Sequence, residues 1–138
     1  MFSKSNVIST IVTGIWAFMG GYLLWGILCA DLLNENLGSA SGVGRETPDY
    51  VHLGIGCLIL ALVFSTIYKK WGAGDYGIGS GLQFGIFVGV MTGFGSGLID
   101  FSTTNIYTIT GSLINGVIYA VFFAIMGILA GLIFSKVK

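Results

Sequence analysis

Four runs of apolar residues dominate the chain, at about 7–30, 50–68, 79–99 and 111–134. Each is continuous rather than alternating. Each approaches the ~20 residues that a helix needs to cross a bilayer, within a range of about 17–25; the second lies near the short limit. Strands are disfavoured, because an open sheet edge leaves backbone groups unsatisfied in lipid. Barrel strands alternate apolar and polar positions, and these runs do not. The pattern predicts an all-α, polytopic membrane protein, a single domain over 1–138 with four transmembrane helices.

Within the third run a glycine recurs at every fourth position: Gly77, Gly81, Gly85, Gly89, Gly93 and Gly97. In water such a helix is poor, since each interior Gly costs about 1 kcal/mol relative to Ala. In lipid a bare ridge lets a neighbour approach backbone to backbone. The fourth run carries its own small row at Gly116, Ala120, Ala124, Gly127 and Gly131, so spans three and four read as a hairpin. A Gly-rich, tightly packed bundle is expected. Each four-residue step overshoots a turn of about 3.6 residues by roughly 40°, so the row drifts around its helix. Either span three crosses one partner closely, as GxxxG pairs do at about −40°, or the row serves two partners, one of them outside the subunit. The second arrangement implies a homo-oligomer or a membrane-protein partner.

Composition supports the membrane reading. The chain is 54% hydrophobic and 9% charged, against about 25% charged in a typical soluble domain. Glycine supplies 23 of the 138 residues, but with one proline and no triplet period collagen is excluded. The first run is expected to be an uncleaved helix. It exceeds the apolar core of a signal peptide, about 7–15 residues, and Leu28-Cys29-Ala30 lacks the small-x-small cleavage pattern.

Net charge is zero, but the signs are segregated. The N-terminus, the link 69–76 and the C-terminus hold five lysines (Lys4, Lys69, Lys70, Lys136, Lys138) against Asp75, a net of +4. The two other connections hold Asp31, Glu35, Glu46, Asp49 and Asp100 against Arg45, a net of −4. Four spans require the first three segments to share a side. The positive-inside rule then predicts a bacterial inner-membrane protein with both termini cytoplasmic. Trp25, Tyr50 and Tyr107 fall near the outer interface, and Tyr68, Trp71 and Tyr76 near the inner one, where such rings commonly anchor. The first loop, 31–49, is glycine-rich, and a short interfacial helix is expected at its start.

Candidate polar residues cluster on the outer side: Asp49, His52, Asp100, Ser102, Asn105 and, deeper, Asn115. Asp49 and His52 share a face if the helix begins before them. Histidine with carboxylates can ligate zinc, but three or four ligands are needed, and this is the only histidine, without HxxxH or HExxH spacing. The plainer reading is a helix N-cap beside an interfacial histidine, and no metal is expected. Asp100 ends span three, where a carboxylate opposes the helix dipole. A compensating partner is expected, either Arg45 or the hydroxyls that follow. Asn115 and Gln83 lie inside spans and call for interhelical partners. Cys29 and Cys57 lack CxxC spacing and read as small apolar thiols. No nucleotide loop, catalytic triad or basic patch is present, so no catalytic residue, cofactor or nucleic-acid partner is expected.

The segments Gly44-Arg-Glu-Thr-Pro-Asp-Tyr, Leu58-Ile-Leu-Ala-Leu, Ile67-Tyr-Lys-Lys-Trp and Gly81-Leu-Gln-Phe-Gly-Ile resemble a widespread group of small four-helix bacterial membrane proteins of unknown function. That resemblance implies a fold and no activity. Gly93-Phe-Gly-Ser-Gly97 with Phe101-Ser-Thr103 is locally similar to the third-helix break of small fluoride channels. The likeness departs at Thr104, where those proteins carry a second Phe, and the first span lacks their Arg. Two functions are therefore expected from the residues: a non-enzymatic structural or accessory subunit assembling in the bilayer through the glycine ridge, or a small ion or solute channel or transporter with a polar path near Asp100 and Asn115.

Overall fold

A computed structural model describes residues 3–137. The first span, Lys4–Leu28, is α1 (Lys4–Gly21) continued by a π-wound segment, π1 (Tyr22–Leu28). A short helix, α2 (Ala30–Asn34), opens the connection after the first span, as expected. The second span is α3 (Tyr50–Gly72). The third, Ile78–Thr103, joins α4 (Ile78–Gly89), a second π segment, π2 (Val90–Ser96), and α5 (Gly97–Thr103) without a break. The fourth is α6 (Ile109–Lys136). All four are long and apolar enough to cross a membrane. Among the described residues there is no strand, only an isolated antiparallel bridge between Leu37 and Tyr107.

Polar residues cap the starts of three helices. Ser3, Asp49 and Thr108 accept from the backbone N–H of Asn6, His52 and Gly111 respectively, satisfying donors that an uncapped first turn leaves orphaned. Lys69, Lys70 and Lys136 occupy last turns, where a cation complements the dipole. Ser3, Lys69 and Ser135 border one hollow at the same end of the bundle, so the lysine-bearing segments gather there.

The glycine row is occupied inside the subunit. A methyl built on Gly81 would overlap the Gly127 carbonyl, and one on Gly127 would overlap the Gly81 carbonyl. Gly85 meets the Phe123 carbonyl in the same way. A methyl on Gly89 would fall 2.6 Å from Ala120 Cα, and one on Gly93 2.6 Å from the Gly116 oxygen. Gly81 to Gly93 therefore face one partner, α6, and leave no ridge for a second. The drift is absorbed by π2. A π turn takes more residues than an α turn, so a four-residue step there falls short of a revolution instead of overshooting it. The row is thereby turned back toward α6. A side chain built on Gly77 meets nothing, and Gly77 joins the contact only through its carbonyl, against Gly131. Gly97 is looser, 3.5 Å from Ser112 Oγ.

The first span packs on α3 and α6. At the lysine-bearing end the α1–α3 contact is polar. Ser9 and Ser65 hydroxyls lie 2.8 Å apart, Thr13 donates to the Ser9 carbonyl at 2.7 Å, and Asn6 Nδ2 donates to Thr66 Oγ1 at 3.1 Å. Asn6, Ser9, Thr13 and Ser65 are all fully buried. This seam, rather than Gln83, glues helices within the spans. Gln83 is exposed and makes no hydrogen bond to any described residue.

Aromatic packing closes the same end. Tyr68 is fully buried; it shares a 2.8 Å hydrogen bond with Ser80 Oγ and lies 5.4 Å from Phe84 and 5.6 Å from Phe134. Phe64 adds Phe84 at 4.9 Å. Tyr68 is thus a core residue and not a headgroup anchor. The first half of α3, away from the lysines, is different: none of residues 50–60 is buried. The bundle is closed at its lysine end and open at its acidic end.

Substitution separates the two kinds of glycine. Gly81→Ala is expected to lower the thermal midpoint in detergent, since overpacking a dense contact costs about 1–3 kcal/mol. Gly79→Ala, where a methyl meets nothing, is expected to leave the midpoint unchanged or raise it through helix propensity. Equal midpoints for the two variants, read by circular dichroism, contradict the packing.

Candidate functional site

Both π segments border a single cleft in the open half of the bundle. Its volume is about 560 Å³, within the range of roughly 300–1,000 Å³ typical of ligand sites. Gly21 and Trp25 line it from the first span, Leu60 from α3, and Thr92, Gly93 and Ser96 from π2. Phe122 and Phe123, nearly fully buried, lie at its inner side with Ala17. Asp100 and Asn115 stand toward its outer side, where a smaller cavity of about 60 Å³ shares both and continues along Thr104, Tyr107 and Ser112.

Local chemistry fixes this lining. Trp25 Nε1 donates to Asn115 Oδ1 at 2.7 Å, which satisfies two polar groups that lipid would penalise. The indole meets Tyr119 edge-on at 4.8 Å and Phe122 at 5.4 Å. Around π2 the helical ladder shifts, and hydroxyls serve its carbonyls: Thr92 donates to Val88 at 2.7 Å and Ser112 to Gly97 at 2.8 Å. Trp25 is therefore a site residue rather than an interfacial anchor. Thr92, Ser96 and Tyr119 join it. Of these, only Ser96 fell within a stretch that the sequence singled out, Gly93–Gly97; Thr92, in π2, and Tyr119, on α6, carried no such signal.

The candidate polar residues separate into three groups. Asp100 and Asn115 come together in the cleft. Ser102 is exposed and donates to the Leu98 carbonyl at 2.7 Å. The carbonyl of Asn105 accepts from Ala40 N at 2.9 Å, and Gly38 N donates to the Ile106 carbonyl at 2.8 Å, so this stretch stitches the two outer loops together. Asp49 and His52 lie at the start of α3, beside Arg45 and Pro48 in a shallow depression. The partner expected for Asp100 does not materialise. Arg45 lines that other depression, and Thr103 and Thr104 donate to backbone carbonyls. Among the described residues no cation lies within ion-pair distance of Asp100, and no group of three or more His, Cys, Asp or Glu could hold a metal. Cys29 and Cys57 are both free thiols.

Comparison with models of known families, with curated proteins and with solved structures found no match.

Asp49 and His52 form a capping unit. Asp49 accepts the His52 backbone N–H at 3.2 Å and meets His52 Nδ1 at 2.7 Å. The first of these hydrogen bonds, and then the second, hold the Asp49 carboxyl below its ordinary range. A depressed carboxylate stabilises the folded helix start above its unfolded pKa, about 3.9, and that support is lost as pH falls through the lower folded value. Amide-exchange protection of His52 and Leu53, corrected for intrinsic rates, is expected to fall on acidification below about pH 4. Asp49→Asn should remove this pH dependence. Protection in the native chain that ignores pH across the same window contradicts the pairing.

Proposed function

We propose that this chain is a small, non-enzymatic solute-binding protein of the bacterial inner membrane, with cytoplasmic termini, acting as a compact carrier or channel element. The observation that carries the reading is the cleft between the two π segments. Short π bulges are found frequently at functional sites, and here two converge on one cavity that combines aromatic walls with a few polar groups. Such a combination is the usual composition of a small-molecule site. Orientation follows from the segregated charges, by the positive-inside rule. The acidic, open end then faces outward, and the cleft receives its solute from that side.

Gly21 gives a direct test. It lines the cleft, and a side chain built there meets nothing within 4 Å, so Gly21→Phe fills the cavity without disturbing the bundle. Purified protein is expected to be stabilised saturably by at least one member of a set of small amphipathic cations, neutral solutes and anions. A ligand at 100 times its Kd adds about 2.7 kcal/mol, which a thermal shift resolves. Gly21→Phe should abolish the effect while keeping its own unfolding transition. Stabilisation by no solute, or stabilisation unchanged in Gly21→Phe, overturns the proposal.

A second reading, association with another copy or another membrane protein, is supported by the outer half of α3. None of residues 50–60 is buried, and side chains built on Gly54 and Gly56 meet nothing within 4 Å. The glycine ridge of span three is not the face concerned. This reading expects a particle mass above that of one chain in mild detergent, reduced to one chain by Gly54→Trp. A native chain already monomeric by mass under those conditions removes the self-association arm.

A further inference from the structure

We infer that the cleft takes a small organic cation, an alkylammonium group held between the Asp100 carboxylate and the aromatic walls. The inference rests on the solute-binding reading above and narrows it to one chemical class. Among the described residues, Asp100 is the only charged side chain lining either the cleft or its extension, and no cation there neutralises it. It stands in the last helical turn of span three, where the helix dipole adds negative potential. An anion is repelled there and a cation attracted.

The remaining lining favours the same class. Trp25 and Tyr119, both half-buried, contribute aromatic surface, with the buried Phe122 and Phe123 as an apolar backing; aromatic rings attract cations within about 6 Å, Trp most strongly. Two potential donors to an anion are already committed within the protein, Trp25 Nε1 to Asn115 and Thr92 Oγ1 to Val88. The hydroxyls of Ser96 and Tyr119 can accept as well as donate. A hard metal cation is poorly served, because it needs about six to eight oxygen ligands and most of this lining is carbon. A cation with a hydrocarbon shell matches both the carboxylate and the rings. The two connections at that end of the bundle, net −4, attract such a solute to the same side.

An alkylammonium group reaches the site as a free solute or as the headgroup amine of phosphatidylethanolamine. Equilibrium dialysis of the full chain in detergent, with benzyltrimethylammonium, N,N-dimethylbenzamide and benzoate as probes, tests the class. The cation is expected to bind at least tenfold more tightly than the neutral probe, and benzoate most weakly. Asp100→Asn should weaken cation binding at least tenfold and leave the neutral probe unchanged; Asp100 is exposed, so the variant retains its fold. Competition by short-chain phosphatidylethanolamine, and not by the matching phosphatidylglycerol, assigns the lipid source; competition by neither assigns the free solute. Neutral or anionic probes binding as tightly as the cation, or a cation affinity unmoved in Asp100→Asn, overturn the cation assignment. The cleft reading survives that result wherever Gly21→Phe still abolishes binding. Failure of all three probes to bind overturns the cation assignment and counts against the cleft itself.

Discussion

Backbone-to-backbone contact between spans three and four is the constraint from which the remaining geometry follows. At Gly81, Gly85, Gly89 and Gly93 there is no room even for a methyl group. Reciprocal approach of Cα and carbonyl, as at Gly81 and Gly127, is the geometry of weak Cα–H···O contacts between helices. An ideal helix could not hold the whole row against one neighbour. The π segment corrects its drift, and the correction has a second effect. Winding Val90–Ser96 more loosely turns Thr92 and Ser96 toward the cleft while Gly93 stays on α6. The cavity thus borders the same segment whose winding keeps the two spans in contact.

The first and second spans are joined by different means. Lipid supplies no hydrophobic drive between helices, so association needs packing and interhelical hydrogen bonds. Glycine packing serves the third and fourth spans. Hydroxyls and Asn6 serve α1 and α3, where Ser9, Thr13 and Ser65 form a buried cluster. That cluster lies at the lysine-bearing end, as does the Tyr68–Ser80 contact that ties α3 to α4. Nothing comparable links residues 50–60 to the bundle. The asymmetry between a sealed end and an open end therefore reflects where the polar residues of α1 and α3 were placed.

Much of this was legible in the chain. Continuous apolar runs gave four spans, and the four-residue glycine period with its counterpart in span four gave the hairpin. The outward drift of that period was legible too, but its resolution was not, because the shift from α to π winding depends on tertiary contact. Trp25 and Tyr68 misled for a related reason: an amphipathic ring near a span end reads identically whether it faces headgroups or a buried acceptor. The polar seam was readable and was missed; Asn6, Ser9 and Thr13 recur at helical spacing. For the site, polarity alone singled out Asp100 and Asn115. It equally singled out Ser102, whose hydroxyl serves the Leu98 carbonyl, and Asn105, whose main-chain carbonyl rather than side chain pairs with the other loop.

Two internally stitched pairs make up the molecule, and apart from the Tyr68–Ser80 hydrogen bond the seam between them is largely aromatic. Across it the first span meets α6 through Trp16, whose Nε1 donates to the Phe122 carbonyl at 3.0 Å, and through rings such as Trp25 against Tyr119. Aromatic edges and single indole hydrogen bonds tolerate small displacements better than carbonyls packed on glycine Cα atoms, since no backbone must move to accommodate them. The cleft lies on this seam, bounded by Gly21 and Trp25 of one pair and by π2, Asn115 and Tyr119 of the other. Phe122 and Phe123 separate it from the buried hydroxyls of α1 and α3, which begin at Thr13, one turn beyond Ala17. For the carrier reading this matters physically. A solute resting on the phenylalanine floor touches both pairs at once, so its binding energy acts across the aromatic contact between them rather than on the glycine packing or the polar seam within either.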